Sequence, residues 1–181
     1  MVMAYVVLIA AVACERLFEL TLSRRHARAA FARGGLEYGS GHFRVMSVMH
    51  TAFLLACVLE VVLLERPFMP WLGWPALALV ATAQALRYWA ISTLGDRWNV
   101  RVIVVPGEAA VRGGPYRFLR HPNYLAVIVE LAALPLVHGA YLTAMAFSLA
   151  NAVLLGVRIR CEEQALRTHC AYDEHFARRA S

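Results

Sequence analysis

Two clusters of ionisable residues in this sequence have the types and spacing to do chemistry. The first is Gly113-Gly114-Pro115-Tyr116-Arg117-Phe118-Leu119-Arg120-His121-Pro122-Asn123-Tyr124, a basic, turn-forming stretch between apolar runs. The second, Arg158-Ile159-Arg160-Cys161-Glu162-Glu163, closes the last apolar run. Pro122 fits the first position of a helix, where its missing N–H costs nothing. It would hold Arg120 and His121 just outside the helix end and carry Tyr124 on the first turn. The free N–H groups there, at the positive end of the helix dipole, favour an anionic or electron-rich ligand. If the helices bearing the clusters are antiparallel neighbours, the clusters meet. They then combine carboxylates for an amine or ribose, an imidazole that donates and accepts, an aromatic face and a guanidinium. Either cluster alone reads as an interfacial cap of salt bridges. Together they suit a zwitterionic, nucleotide-like cofactor.

A further group of charges lies within the apolar runs. Glu15, Arg16 and Glu19 fall in the inner half of the first run, and Glu15 and Glu19, four apart, share a helix face. Arg87 lies in the third run and Glu130 in the fourth. A charge at the bilayer centre costs roughly 2.5–3.5 kcal/mol on insertion scales, so each should face a partner or a cavity. Structural ion pairs, Arg87 with Glu130 or Glu19, compete with a functional role. Arg87, Asn99 and Arg101 are candidate groups on the side of an acceptor substrate, and Glu19 or Glu130 a candidate base. Glu60, near the outer end of the second run, is expected to snorkel to water.

The elements that must position these residues follow from composition. The chain has 181 residues, of which 60% are hydrophobic, and a mean hydropathy of +0.55. Apolar runs near the length needed to cross roughly 30 Å of hydrocarbon extend over 2–22, 45–64, 71–94, 124–137 and 140–157. The expected fold is an all-α integral membrane protein with five transmembrane helices, the last two a hairpin broken at 135–139, and a cytosolic cofactor pocket. One compact domain is expected over 1–181. The first run has neither a basic leader nor an Ala-x-Ala site, so it is not expected to be cleaved.

All 18 basic residues are Arg. They crowd the first loop (Arg24, Arg25, Arg28, Arg33, Arg44), the third connection (Arg97, Arg101, Arg112, Arg117, Arg120) and the tail (Arg167, Arg178, Arg179), whereas 65–70 holds only Arg66. The positive-inside rule then places the amino terminus outside and the carboxyl terminus in the cytosol. A net charge of +6 is accounted for by anionic headgroups, with no nucleic acid partner. Cys14, Cys57, Cys161 and Cys170 show no CxxC spacing, and no metal site or thiol chemistry is expected; Cys14 and Cys57 read as small packing residues. The glycine-rich first loop, 32–43, reads as an ordinary connector. Residues 98–105 read as an extended, membrane-hugging segment or a short hairpin.

Gly-Pro-Tyr-x-x-x-Arg-His-Pro-x-Tyr (114–124) followed by Arg-x-x-x-Glu-Glu (158–163) resembles the isoprenylcysteine carboxyl methyltransferase family of integral-membrane enzymes. The resemblance runs from about Leu86 to Tyr172. It implies S-adenosylmethionine bound on the cytosolic side by the last two helices. His121, Pro122, Tyr124, Tyr116 and Arg158 would line the cofactor pocket, and Glu162 and Glu163 would hold its charged or ribose end. Arg120 would lie where cofactor and substrate meet. Residues 1–94 would then form a three-helix substrate-side bundle and 95–181 the cofactor-binding region. Two departures stand out: Ala126 replaces a usual Gly, and the tail after Glu163 is short, with His169-Cys170-Ala171-Tyr172. Glu15-Arg16-Leu17-Phe18-Glu19-Leu20, the Gly-Gly-Leu-Glu-Tyr-Gly loop with His42, and Leu86-Arg87-Tyr88-Trp89-Ala90 are similar to a bacterial branch that accompanies type III polyketide synthases. Those enzymes O-methylate long-chain alkylpyrones or alkylresorcinols.

Methyl transfer is an in-line displacement, for which positioning supplies much of the catalysis. A carboxylate acceptor needs only an Arg clamp. A phenol or enol needs a base or a nearby cation to favour its anion. The expected substrate is a lipophilic small molecule entering sideways from the bilayer. The alternatives are carboxyl methylation of an isoprenylcysteine-like substrate, an NADPH-dependent membrane reductase sharing Arg-His-Pro-Asn-Tyr, N-methylation of phospholipid amines, and a non-catalytic lipid-binding bundle.

Overall fold

The computed structural model describes residues 1–170; the tail expectations on Tyr172, Arg178 and Arg179 lie outside them. Five α-helices dominate: α1 (Val2–Ala32), α2 (Ser40–Leu63), α3 (Pro70–Leu94), α4 (Pro122–Leu136) and α5 (Tyr141–His169). α2 and α5 are each long and apolar enough to cross a membrane. Prolines begin α3 and α4 at positions whose N–H has no helical partner. α4, at 15 residues, is about 22 Å long, shorter than the hydrocarbon layer. It compensates by being central: it packs against α3 on one side and α5 on the other, with Val127, Leu131 and Leu134 buried.

The main core joins Tyr5, Ile9 and Val12 of α1 to Phe53, Cys57 and Val61 of α2, Ala76 and Val80 of α3, and the buried face of α4. Large apolar side chains also cover the outside. Leu55, Leu59 and Val62 of α2 and Leu149 and Val153 of α5 are exposed, as a lipid-facing surface requires. Cys57 is fully buried, as a packing residue should be, but Cys14 is exposed.

Two helices run past the ends of their apolar runs. α1 continues through the basic stretch to Ala32, and α5 carries Arg158 to Glu163 on regular helix to His169. The basic stretch after the first apolar run and the second polar cluster are therefore held on regular helix. The all-α expectation needs one correction. The first loop contributes β1 (Leu36–Tyr38) and the third connection β2 (Val102–Val104), paired antiparallel with Glu37 opposite Ile103. The glycine-rich loop is thus not a plain connector, nor is 98–105 a hairpin of its own. Each supplies one strand, because an isolated strand would leave its backbone N–H and C=O groups unpaired. Val102 and Val104 bury one strand face against Ala165 and Leu166 of α5.

Glu60 also departs from expectation. It is 8% exposed and accepts from the Leu142 and Thr143 backbone N–H at 3.1 and 2.7 Å, with Arg66 at 2.9 Å. α5 has no side-chain cap of its own. A carboxylate from a neighbouring helix satisfies its first turn instead of snorkelling to water.

Candidate active site

A 3-10 turn at Gly114–Arg117 leads into α4. Gly114 has φ +52°, and a Cβ there would collide with Thr93 Oγ1, so only glycine lets this turn close onto α3. The turn delivers Arg120 and His121 to the start of α4, and no side chain caps that helix. His121 and Tyr124 stack with ring centroids 5.3 Å apart. The Tyr124 hydroxyl donates to Glu162 and accepts from Arg158 Nε at 2.9 Å. Arg158 also donates to the carbonyl of Val100, tying α5 to the third connection. His121 Nε2 lies 3.2 Å from Glu163 Oε1, Arg120 Nη1 3.9 Å from the same atom, and Arg167 Nη2 3.3 Å from Glu163 Oε2. Burial and the Glu162 carboxylate push the Tyr116 phenol above its ordinary value, so Tyr116 presents a neutral ring and hydroxyl.

Deeper in the bundle a second network spans three helices. Arg16 reaches Glu19 at 2.8 Å, Glu15 at 3.0 Å and Glu130 at 3.4 Å. Arg87 pairs with Glu19 at 2.7 Å and Glu130 at 3.5 Å. Gln84 donates to Glu15 at 2.6 Å and accepts from Arg16 at 3.2 Å. Glu19, Arg87 and Glu130 are all buried. Three carboxylates face two guanidinium groups.

The two networks border one cavity of about 520 Å³, within the range of small-molecule sites. Arg16, Glu19 and Arg87 lie on its inner wall; Tyr116, Arg120, His121, Tyr124, Arg158 and Glu162 lie on its other wall. The profile of the isoprenylcysteine carboxyl methyltransferase family matches residues 76–168, a span that carries both motif clusters. The chain belongs to that family. A Bacillus subtilis (strain 168) protein, YpbQ, uncharacterized, is 40% identical over 163 residues, covering 90% of this chain and 96% of that protein. An uncharacterized protein of Haemophilus influenzae (strain ATCC 51907 / DSM 11121 / KW20 / Rd) is 32% identical over 152 residues, covering 83% of this chain and 88% of the relative.

The family implies a methyl donor, and the walls can be tested against one. The Asn123 Oδ1 and Trp98 Nε1 atoms are buried without a partner, and both residues line the cavity. An acceptor, a donor, two aromatic rings and the Glu162 carboxylate fit the polar ends of a nucleoside bearing an amino acid. Not every candidate residue reaches the cavity. Pro122 is buried at the helix start, Glu163 is turned toward His121 and Arg167, and Glu130 stands behind Arg16 and Arg87.

Asn99 and Arg101 border the cavity but are engaged elsewhere. Asn99 accepts from Ser23 Oγ at 2.7 Å and from the Arg101 backbone N–H at 2.8 Å. Arg101 forms a two-pronged pair with Glu37 of β1. They fasten β2 to α1 and β1. Among the wall residues that the sequence did not single out for the site are Asn123, Trp98 and His50. Asn123 sits inside the first motif, which offered a signal; His50, in an otherwise apolar run, offered only its own polarity.

Proposed function

We propose that the protein is an S-adenosylmethionine-dependent O-methyltransferase acting on a membrane-embedded lipid acceptor, the hydroxyl of an alkylpyrone or alkylresorcinol. The observation that carries this reading is the single cavity bordered by both networks. A cofactor held by one wall and an acceptor headgroup at the other would share one space. In this reading all five helices cross a bacterial inner or plasma membrane, with the amino terminus outside and the cavity's cofactor end at the cytosol. Residues 1–94 serve the substrate and 95–181 the cofactor.

Lipid access is supported by the rim. Leu17 of α1 and Leu55 of α2 border the cavity and are 62% and 59% exposed. An alkyl chain could therefore lie between α1 and α2 while its headgroup reaches the interior. The charge balance favours a hydroxyl over a carboxylate as acceptor. Arg16 and Arg87 together already face three carboxylates, so a further anion would be repelled there even though Arg16 Nε has no partner.

When bound, the cofactor supplies an electrophilic methyl group on a sulfonium. The protein's own part is to bind, orient and exclude water. His121 and Tyr124 offer an aromatic face, Glu162 an anion, and Arg120 a cation at the mouth. The test is transfer of tritiated methyl from S-adenosylmethionine into a lipid extract containing alkylresorcinols or alkylpyrones. Label in a lipid ether is expected, and Arg120→Ala and His121→Ala should each lose it by about a hundredfold or more while still inserting and folding. Consumption of NADPH with no label would overturn the reading in favour of a reductase. Label in an amine or a methyl ester would instead redirect it to phospholipid amines or an isoprenylcysteine-like carboxylate.

A further inference from the structure

Resting on the O-methyltransferase reading, we propose that His50 is the general base that accepts the proton of the acceptor hydroxyl. One face of α2, including Met46, Ser47, His50, Thr51 and Leu54, forms part of the cavity wall. His50 Nδ1 lies 2.9 Å from the carbonyl oxygen of Met46, one helical turn earlier. A carbonyl only accepts, so this bond assigns the ring proton to Nδ1 and leaves Nε2 with a bare lone pair. Among the described residues no donor is hydrogen-bonded to Nε2, and it is absent from the buried atoms lacking a partner.

The other carboxylates are each engaged through at least one oxygen, and Glu15, whose Oε1 has no partner, does not line the cavity. Both oxygens of Glu19 are bonded to guanidinium groups, the Oε2 of Glu130 is shared by Arg16 and Arg87, and the Oε2 of Glu162 takes the Tyr124 hydroxyl. His50 also has charged neighbours on three helices: Glu130 on α4, Arg16 on α1 and Arg158 on α5. It lines the same cavity as Arg16 of one network and Arg158 of the other, the space in which acceptor and cofactor would meet.

The step balances. The acceptor oxygen forms its new bond to the methyl carbon with its own electron pair, and the pair of the broken S–C bond stays on sulfur. The O–H proton passes to His50 Nε2. One positive charge disappears from sulfur and one appears on the imidazole, within electrostatic reach of Glu130. The imidazolium then returns its proton to water at the cavity mouth. A carboxylate acceptor would need no such group, so a base in this position ties the substrate class to hydroxyls.

Two measurements test His50, the first of them independently of the cofactor reading. The first uses no cofactor: a long-chain alkyl nitrophenol is added to the purified protein about one pH unit below the probe's own midpoint. Wild type should bind it as the yellow anion, and His50→Gln should bind it colourless with similar affinity. The second follows methyl transfer against pH. The wild-type rate should fall on the acid side as Nε2 takes a proton; His50→Ala should be slower by about a hundredfold, should lack that acid limb, and should regain activity with added imidazole. A variant with wild-type rate, pH profile and probe colour would overturn the proposal. So would one that loses activity without rescue while keeping the yellow probe. If instead the wild type labels no lipid yet ionises the probe, the transferase reading fails and the base survives.

Discussion

The two charged networks share arginine and glutamate and differ in how their ions are matched. The deep one, Glu15-Arg16-Glu19-Gln84-Arg87-Glu130, is drawn from three helices, and each guanidinium meets two or more carboxylates, although Glu15 Oε1 and Arg16 Nε are left without a partner. The other, at the start of α4 and the far end of α5, leaves Asn123 without a partner and closes on water-accessible Arg120 and Arg167, whose side chains are 47% and 49% exposed. The difference separates scaffold from binding surface. Ions inside an apolar bundle must be matched by one another, because nothing else there can solvate them. Groups facing a cavity mouth can remain partly unmatched, because water fills the gap until a ligand displaces it.

That contrast breaks first at Arg87. Arg87→Ala leaves Glu19 and Glu130 short of a partner in the bundle interior and should cost about 3–5 kcal/mol, seen as a large fall in melting temperature in detergent or failure to accumulate. If the variant melts like wild type, the deep network is not what joins α1 to α3 and α4. A smaller, different effect is expected across the cavity. Glu162→Gln should weaken S-adenosylhomocysteine binding roughly ten- to a hundredfold, the scale of a hydrogen bond to a charged group, with melting little changed. Equal binding, read by calorimetry, would move the cofactor away from this wall. Least of all should follow from Arg167→Ala. Its pair with Glu163 at 3.3 Å is half exposed and four residues apart on one helix, so about 0.3–0.5 kcal/mol of stability is at stake, and a larger loss would mean the rim is more tightly built than its exposure implies.

The residues also differ in how far the chain alone revealed them. Pro122 announces the start of α4, and the His121–Glu163 and Tyr124–Glu162 contacts follow from the antiparallel pairing that the Pro135–Gly139 break predicts. Glu60 was misread because a carboxylate near a helix end looks the same in sequence whether it meets water or the bare first turn of another helix. Asn99 and Arg101 were named for chemistry and turned out to hold a strand pair whose two halves are more than sixty residues apart. No local pattern encodes such a pairing.

By itself, the sequence determined the five helices, the basic side of the molecule and the two motif clusters that mark its family. These depend on apolar length, charge placement and the local rules for proline and glycine, all of which act over a few turns. Only the tertiary structure decided that the deep carboxylates meet Arg16 and Arg87, that the two loops join in a sheet, and that His50 lines the cavity with Nδ1 bonded to its own helix. Those outcomes depend on which groups meet across helices, and a buried charge or lone pair takes its role from the partner it finds in three dimensions.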